Sequence, residues 1–206
     1  MCKGAGRIAD LRENTVGAPR RIITGHDEEG RSVVLIDGGP GRVVNIDALG
    51  VTDYEVWGTD SMPAPIARVP EDPSGREFNL PPTKNGTVFR IAVFGPDPER
   101  SEDDAAGAAA SAFTILDPSA SKWAPGQHPG MHRTETVDYA IVLDGTISMI
   151  LDVGEIEMSA GDVLVQMGTT HAWVNRSGAP ATVAFILVDA KFEPDLQADF
   201  DAQGGH

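Results

Sequence analysis

The chain has a single cysteine, Cys2, in its 206 residues. One thiol excludes an intrachain disulfide and cannot build a zinc cluster by itself. No run approaches the roughly 20 consecutive apolar residues that a membrane-spanning helix needs. Residues 1–7 also lack the apolar stretch of a secretory signal, so a soluble, cytoplasmic protein with no membrane partner is expected. Basic residues are outnumbered, with 16 Lys and Arg against 31 Asp and Glu and a formal net charge of −15. A surface so acidic repels phosphate backbones, so no nucleic-acid partner is expected, and the charge reads as a solvated exterior. No internal repeat or low-complexity tract stands out.

What is present suits a β-rich globule. The length allows one domain with a well-buried core, and 41% hydrophobic with 23% charged residues is an ordinary globular balance. The 23 glycines and 15 prolines favour short strands joined by tight turns over a helical bundle. β-like runs fall at 21–24, 32–36, 42–46 and 88–94, and 62–83 reads as an irregular connection. The alanine-rich stretch 104–116 predicts one short helix, with Ser101 or Asp103 as its N-cap. Strand-like runs then crowd together at 137–143, 146–151, 155–158, 162–166, 172–175 and 181–188. Asp144-Gly145 between the first two of these predicts a hairpin, and six short strands without an intervening helix predict a closed barrel or jelly roll. The division that follows is a flexible N-terminus at 1–19 and a β extension with its irregular connection, packed on the barrel, at 20–120. The barrel core takes 121–190 and a C-terminal tail 191–206.

Chemistry concentrates at the histidines. His132, Thr134 and Asp138 share a parity, so on an extended strand they face one way, and Ala140 and Val142 continue that face. Counting across the 144–145 turn sets Ile147, Met149 and Leu151 opposite, which describes an apolar interior with a wet mouth. His171, Trp173 and Asn175 share a parity on a later strand. A histidine and a carboxylate facing an apolar lumen need partners, either a bound metal or one another. Two imidazoles and a carboxylate suit Fe(II) with open positions, and also admit Zn, Mn or Ni. His128 joins this set if its segment is extended, although Pro129-Gly130 bends it. Thr134, Tyr139, Met149, Gln166 and Trp173 are candidates to touch a substrate. For Tyr139 and Trp173 a plain core role stands beside that reading, and Gln166 either supports a ligand or is only a strand residue. His26 sits in a polar turn and His206 at the terminus, and both read as surface. Residues 38–41 have the glycines of a phosphate loop but no following helix or Lys-Ser/Thr, so that reading is rejected.

Two frames in this region resemble those of the cupins. The first family motif is Gly, five residues, His, one residue, His, three or four residues, Glu, six residues, Gly. Here Gly126, His132, Thr134, Asp138 and Gly145 keep every spacing, with Thr134 in the place of the second His and Asp138 replacing Glu. The second motif is matched by Gly161-Asp162, then Gln166-Met167-Gly168, His171 and Asn175. It is one residue short after Gly161 and has Gln166 at the proline position. The resemblance implies an all-β, cupin-type antiparallel barrel (jelly roll) with an N-terminal β extension and one short helix. It also implies a small-molecule substrate and a divalent metal at His132, Asp138 and His171, with oxygenase, lyase, dehydratase or isomerase chemistry. A metal-free site with a histidine general base, a non-catalytic binding module and a purely structural role remain as alternatives. A homodimer is expected, because an elaborated N-terminal half can cover barrel edges across a two-fold axis.

Overall fold

The computed structural model describes residues 18–117 and 124–202. Cys2, the N-terminal segment to residue 17, residues 121–123 at the start of the expected barrel core, and His206 lie outside the described residues. Among those described, the strands are β1 (Arg21–His26), β2 (Ser32–Gly38), β3 (Arg42–Ile46), β4 (Val51–Thr59), β5 (Thr87–Phe94), β6 (Thr136–Asp144), β7 (Thr146–Leu151), β8 (Glu155–Ser159), β9 (Val163–Met167), β10 (His171–Val174) and β11 (Ala181–Asp189). The helices are α1 (Glu102–Ile115) and α2 (Pro194–Ala202).

All pairings are antiparallel. One sheet runs β3-β4-β5-β11-β6-β9, a second runs β10-β7-β8, and β1-β2 forms a separate ribbon. Period-two burial decides which side chains enter the space between the two larger sheets. On β6, Thr136, Asp138, Ala140 and Val142 are buried, while Tyr139 and Leu143 face outward. Ala140, Val142, Ala181 and Val183 from the larger sheet meet Ile147, Met149 and Met158 from the smaller in one apolar cluster. A second cluster forms where Ala112 and Phe113 of α1 pack on Ile46. Ser101 caps α1 by accepting the Asp104 N–H at 3.2 Å, and Glu102, Asp103 and Asp104 sit in the first turn, where the helix dipole favours them.

The structure departs from the sequence reading in four places. Residues 144–145 do not close a hairpin, because β6 pairs with β11 and β9, while β7 pairs with β10 and β8. The chain crosses from one sheet to the other at Gly145 instead. There φ is +77°, and a Cβ would lie 2.7 Å from the Pro180 carbonyl oxygen, so only glycine fits. The inward parity of Ala140, Val142, Ile147 and Met149 survives, since they meet face to face. Second, β4 is a strand that the sequence reading passes over. Third, β3, β4 and β5 are hydrogen-bonded into the same sheet as β11 and β6, so these strands of the expected extension form part of the barrel wall. Last, the tail contains α2, held where the Arg133 guanidinium lies 3.5 Å from the Phe200 ring centre.

Candidate functional site

A cavity with about 770 Å³ of empty space, part of it open to solvent, lies between the two apolar clusters. Phe94, Trp173 and Phe185 belong to the wall on one side, and Leu49, Leu80 and Leu116 to the other. Into this apolar space project His132, His171, Asp138 and Gln166, together with Arg90 and Asp53.

Backbone pairing brings the histidines together. His132, just before β6, and His171, at the start of β10, exchange N–H···O bonds of 2.9 Å in both directions. Their rings lie 4.2 Å apart, centre to centre. Each Nδ1 donates to a backbone carbonyl, His132 to Gly130 at 2.8 Å and His171 to Thr169 at 2.9 Å. Both Nε2 atoms are thus left as lone-pair nitrogens. Burial lowers the pKa of both rings. The Arg90 charge presses His132 further down, and neighbouring His132 presses His171 well below the ordinary value. Both imidazoles are therefore neutral near pH 7.

On the facing sheet, Asp138 of β6 stands opposite Gln166 of β9, whose amide donates to its Oδ2 at 3.2 Å. Its Oδ1 is buried without a hydrogen bond. Burial pushes Asp138 up to about 6, against the weaker opposing pull of the Thr136 hydroxyl and the Arg90 charge.

Among the described residues, no three or more His, Cys, Asp or Glu side chains are grouped so as to hold a metal ion. The two Nε2 atoms are suitable donors, but Asp138 is turned to Gln166 and does not complete a set with them. Arg90 adds a fixed positive charge that acts on both His132 and Asp138. The expected ligands His132, Asp138 and His171 all line one cavity, without being grouped as a ready metal site among the described residues. His128 lines the cavity as well, yet both its nitrogens are engaged. Its Nδ1 accepts from the Gly130 N–H at 3.1 Å, and its Nε2 donates to Asp97 at 3.2 Å.

Of the expected substrate contacts, Gln166 and Trp173 line the cavity. Tyr139 does not: one residue from Asp138 on a strand, it points to the opposite face and is 46% exposed. Met149 is spent in the apolar core between the sheets. Thr134 is buried, but its hydroxyl is paired with Thr136 at 2.7 Å and it is not part of the cavity wall.

Arg90 and Asp53 are the residues that sequence reasoning missed. Arg90 lies mid-strand on β5, between Glu55 of β4 and Phe185 of β11. Its signal is a lone arginine in the apolar run 88–94. Asp53 belongs to β4, the unanticipated strand. Burial raises its pKa against the attraction of Arg90, from which it is 3.6 Å away.

The family described as "Cupin domain" matches residues 121–188. The chain is 40% identical over 185 residues to the "Cupin-domain-containing oxidoreductase srdD" of Neurospora crassa, covering 87% of this chain and 79% of that protein. It is 29% identical to the "Cupin-domain-containing oxidoreductase fogC" of Aspergillus ruber over 82% of this chain and 71% of that protein. A shorter match, 49% identical over 69 residues, joins it to the "Phomopsin biosynthesis cluster protein C'" of Diaporthe leptostromiformis, and there covers only 36% of the relative's length. Among solved structures, the Schizosaccharomyces pombe Cnp3 cupin domain is 7% identical with a TM-score of 0.43, over 91% of this chain and 95% of that one. The chain belongs to the cupin superfamily.

Proposed function

We propose that this chain is a small-molecule enzyme of the cupin type that transfers protons beside a carbonyl group, with the paired imidazoles of His132 and His171 as base and Asp138 as acid. One observation carries the reading: two neutral imidazoles in ring contact, each with a lone-pair nitrogen, line an apolar cavity that also holds a carboxyl poised near 6. His132 takes a proton from the carbon next to the carbonyl. The C–H electron pair moves into a carbon–carbon double bond, and the carbonyl oxygen receives a proton from Asp138. Where the deprotonated carbon bears a hydroxyl, that hydroxyl then gives its proton to the Asp138 carboxylate as the proton held by His132 adds to the former carbonyl carbon, which forms the new carbonyl and completes an isomerisation. One carbon is then oxidised and its neighbour reduced, with no outside oxidant. The oxidoreductase names of the full-length relatives support an enzyme.

Incubation in D2O with a panel of small α-keto acids and α-hydroxy ketones tests this. Deuterium should enter at the carbon beside the carbonyl, and His132→Ala should slow it by about a hundredfold or more. Chelator treatment should leave the rate unchanged. No exchange above background with any panel member would leave a binding module. Exchange that vanishes on chelation, with stoichiometric iron by elemental analysis, would return the metal-dependent reading.

A further inference from the structure

Arg90 is only 3% exposed, and its guanidinium lies 5.2 Å from the Phe78 ring centre. Its Nη2 donates to the backbone carbonyls of Asn79 at 3.1 Å and Leu80 at 3.0 Å. Its Nε and Nη1 are buried with no hydrogen-bond partner, as is Oδ1 of Asp53. The Arg90–Asp53 separation of 3.6 Å is an ion-pair distance but too long for a hydrogen bond. Arg21, whose Nε is also buried without a partner, nevertheless meets its carboxylate, Asp72, through two hydrogen bonds of 2.7 and 3.2 Å, which Arg90 does not do with Asp53. Burying a charged group without its hydrogen bonds is costly, and such groups gather where a ligand completes them.

We propose that Arg90 is an anion subsite of the cavity, and that its ligand is a monocarboxylate carried on an apolar body. The inference rests on reading the cavity as a small-molecule site. Among the described residues that line it, Arg90 is the one Lys or Arg side chain. A single guanidinium, already facing Asp53, suits one negative charge rather than a phosphate dianion. Trp173 and Phe185, edge-to-face at 5.1 Å, together with Phe94 and Leu116, provide the apolar surface for the rest of the molecule.

Titration calorimetry with benzoate against benzamide, and hexanoate against hexanamide, reads the subsite directly. Each carboxylate should bind roughly tenfold or more tightly than its neutral amide, the difference expected for a charge-assisted hydrogen bond. Asp53→Asn keeps the volume and removes the competing carboxylate, so it should tighten carboxylate binding. Removing Arg90 alone would strand Asp53, so the double variant Arg90→Met, Asp53→Asn is used. It should remain folded and bind the carboxylates no better than the amides. His171→Ala should keep the carboxylate preference while losing proton exchange, which separates failure of the subsite from failure of the proposed reaction. The proposal is overturned if neither carboxylate outbinds its amide in the wild type, if the double variant keeps the preference, or if Asp53→Asn leaves carboxylate affinity unchanged.

Discussion

Asp138 sits between the Gln166 amide and the Thr136 hydroxyl, and burial lifts it from 3.8 to about 6. The folded protein therefore holds this proton more tightly than the unfolded chain. The stability that this provides is fully present below pH 3.8 and is lost as pH rises through about 6. The full loss is about 3 kcal/mol, at 1.36 kcal/mol per pKa unit. His132 and His171 act in the opposite sense. Their folded values are lowered, so their contribution is present above the ordinary histidine value of 6.5 and is lost as pH falls. The wild-type stability curve mixes the two, and the difference between wild type and Asp138→Asn isolates the first. Asparagine keeps an acceptor for Gln166 and carries no charge, so relative to wild type the variant should gain up to about 3 kcal/mol between about pH 3 and about pH 7 in urea denaturation. A flat difference would show that the Asp138 carboxyl is not held up by burial. At this scale the placement of His132, Asp138, His171, Gln166 and Trp173 around one cavity was legible, because parity and the two frames depend only on local spacing. Arg90 and Asp53 were not, because what makes each a site residue comes from a distant strand.

At the scale of elements, β10 is tied down at its far end by Asn175. This side chain is fully buried. Its amide donates to the carbonyls of Phe94 at 2.9 Å and Ala179 at 2.7 Å, and its Oδ1 accepts from the Ser177 backbone N–H and hydroxyl at 3.0 and 2.8 Å. Its own N–H donates to Asp97, the carboxylate that also holds His128. Asn175→Ala removes all the side-chain bonds and strands buried carbonyls, so it should cost about 2–4 kcal/mol in chemical denaturation. Asn175→Asp keeps the shape but not the two donated bonds, and should share most of that loss. An Asp variant as stable as wild type would show that the amide donors do not matter. The frame around His171 marked Asn175 as an interior residue, but the Phe94 carbonyl that it holds lies 81 residues earlier in the chain. The same limit explains the misread hairpin. Asp144-Gly145 is a strong local turn signal, yet sheet membership was decided by β11, which claims β6 through the register of Val183 on Val142 and Phe185 on Ala140. β4 escaped notice because Thr52, Asp53, Glu55 and Gly58 dilute its apolar alternation.

At the scale of the whole molecule, the barrel leaves apolar surface on its outside. β9 is an edge strand of the six-stranded sheet, and its outward residues Val163, Val165 and Met167 are 73, 56 and 62% exposed. Tyr139 and Leu143 of neighbouring β6 are exposed on the same sheet. Monomeric proteins blunt such edges with lysine, proline or a bulge, and β9 carries none of these between Val163 and Met167. In a chain with a net charge of −15, an uncharged edge beside an apolar face is where two copies could meet without bringing like charges together. A homodimer burying this face against a second copy is therefore expected, with light scattering giving about twice the 21.8 kDa of one chain. Val165→Lys places a charge at the centre of the edge while its side chain points away from the core. It should yield a folded monomer with an unchanged circular dichroism spectrum. A wild-type mass of one chain would remove the dimer altogether, and a Val165→Lys protein that remained dimeric would move the interface to another face, such as the β1-β2 ribbon with its exposed Ile22 and Val34.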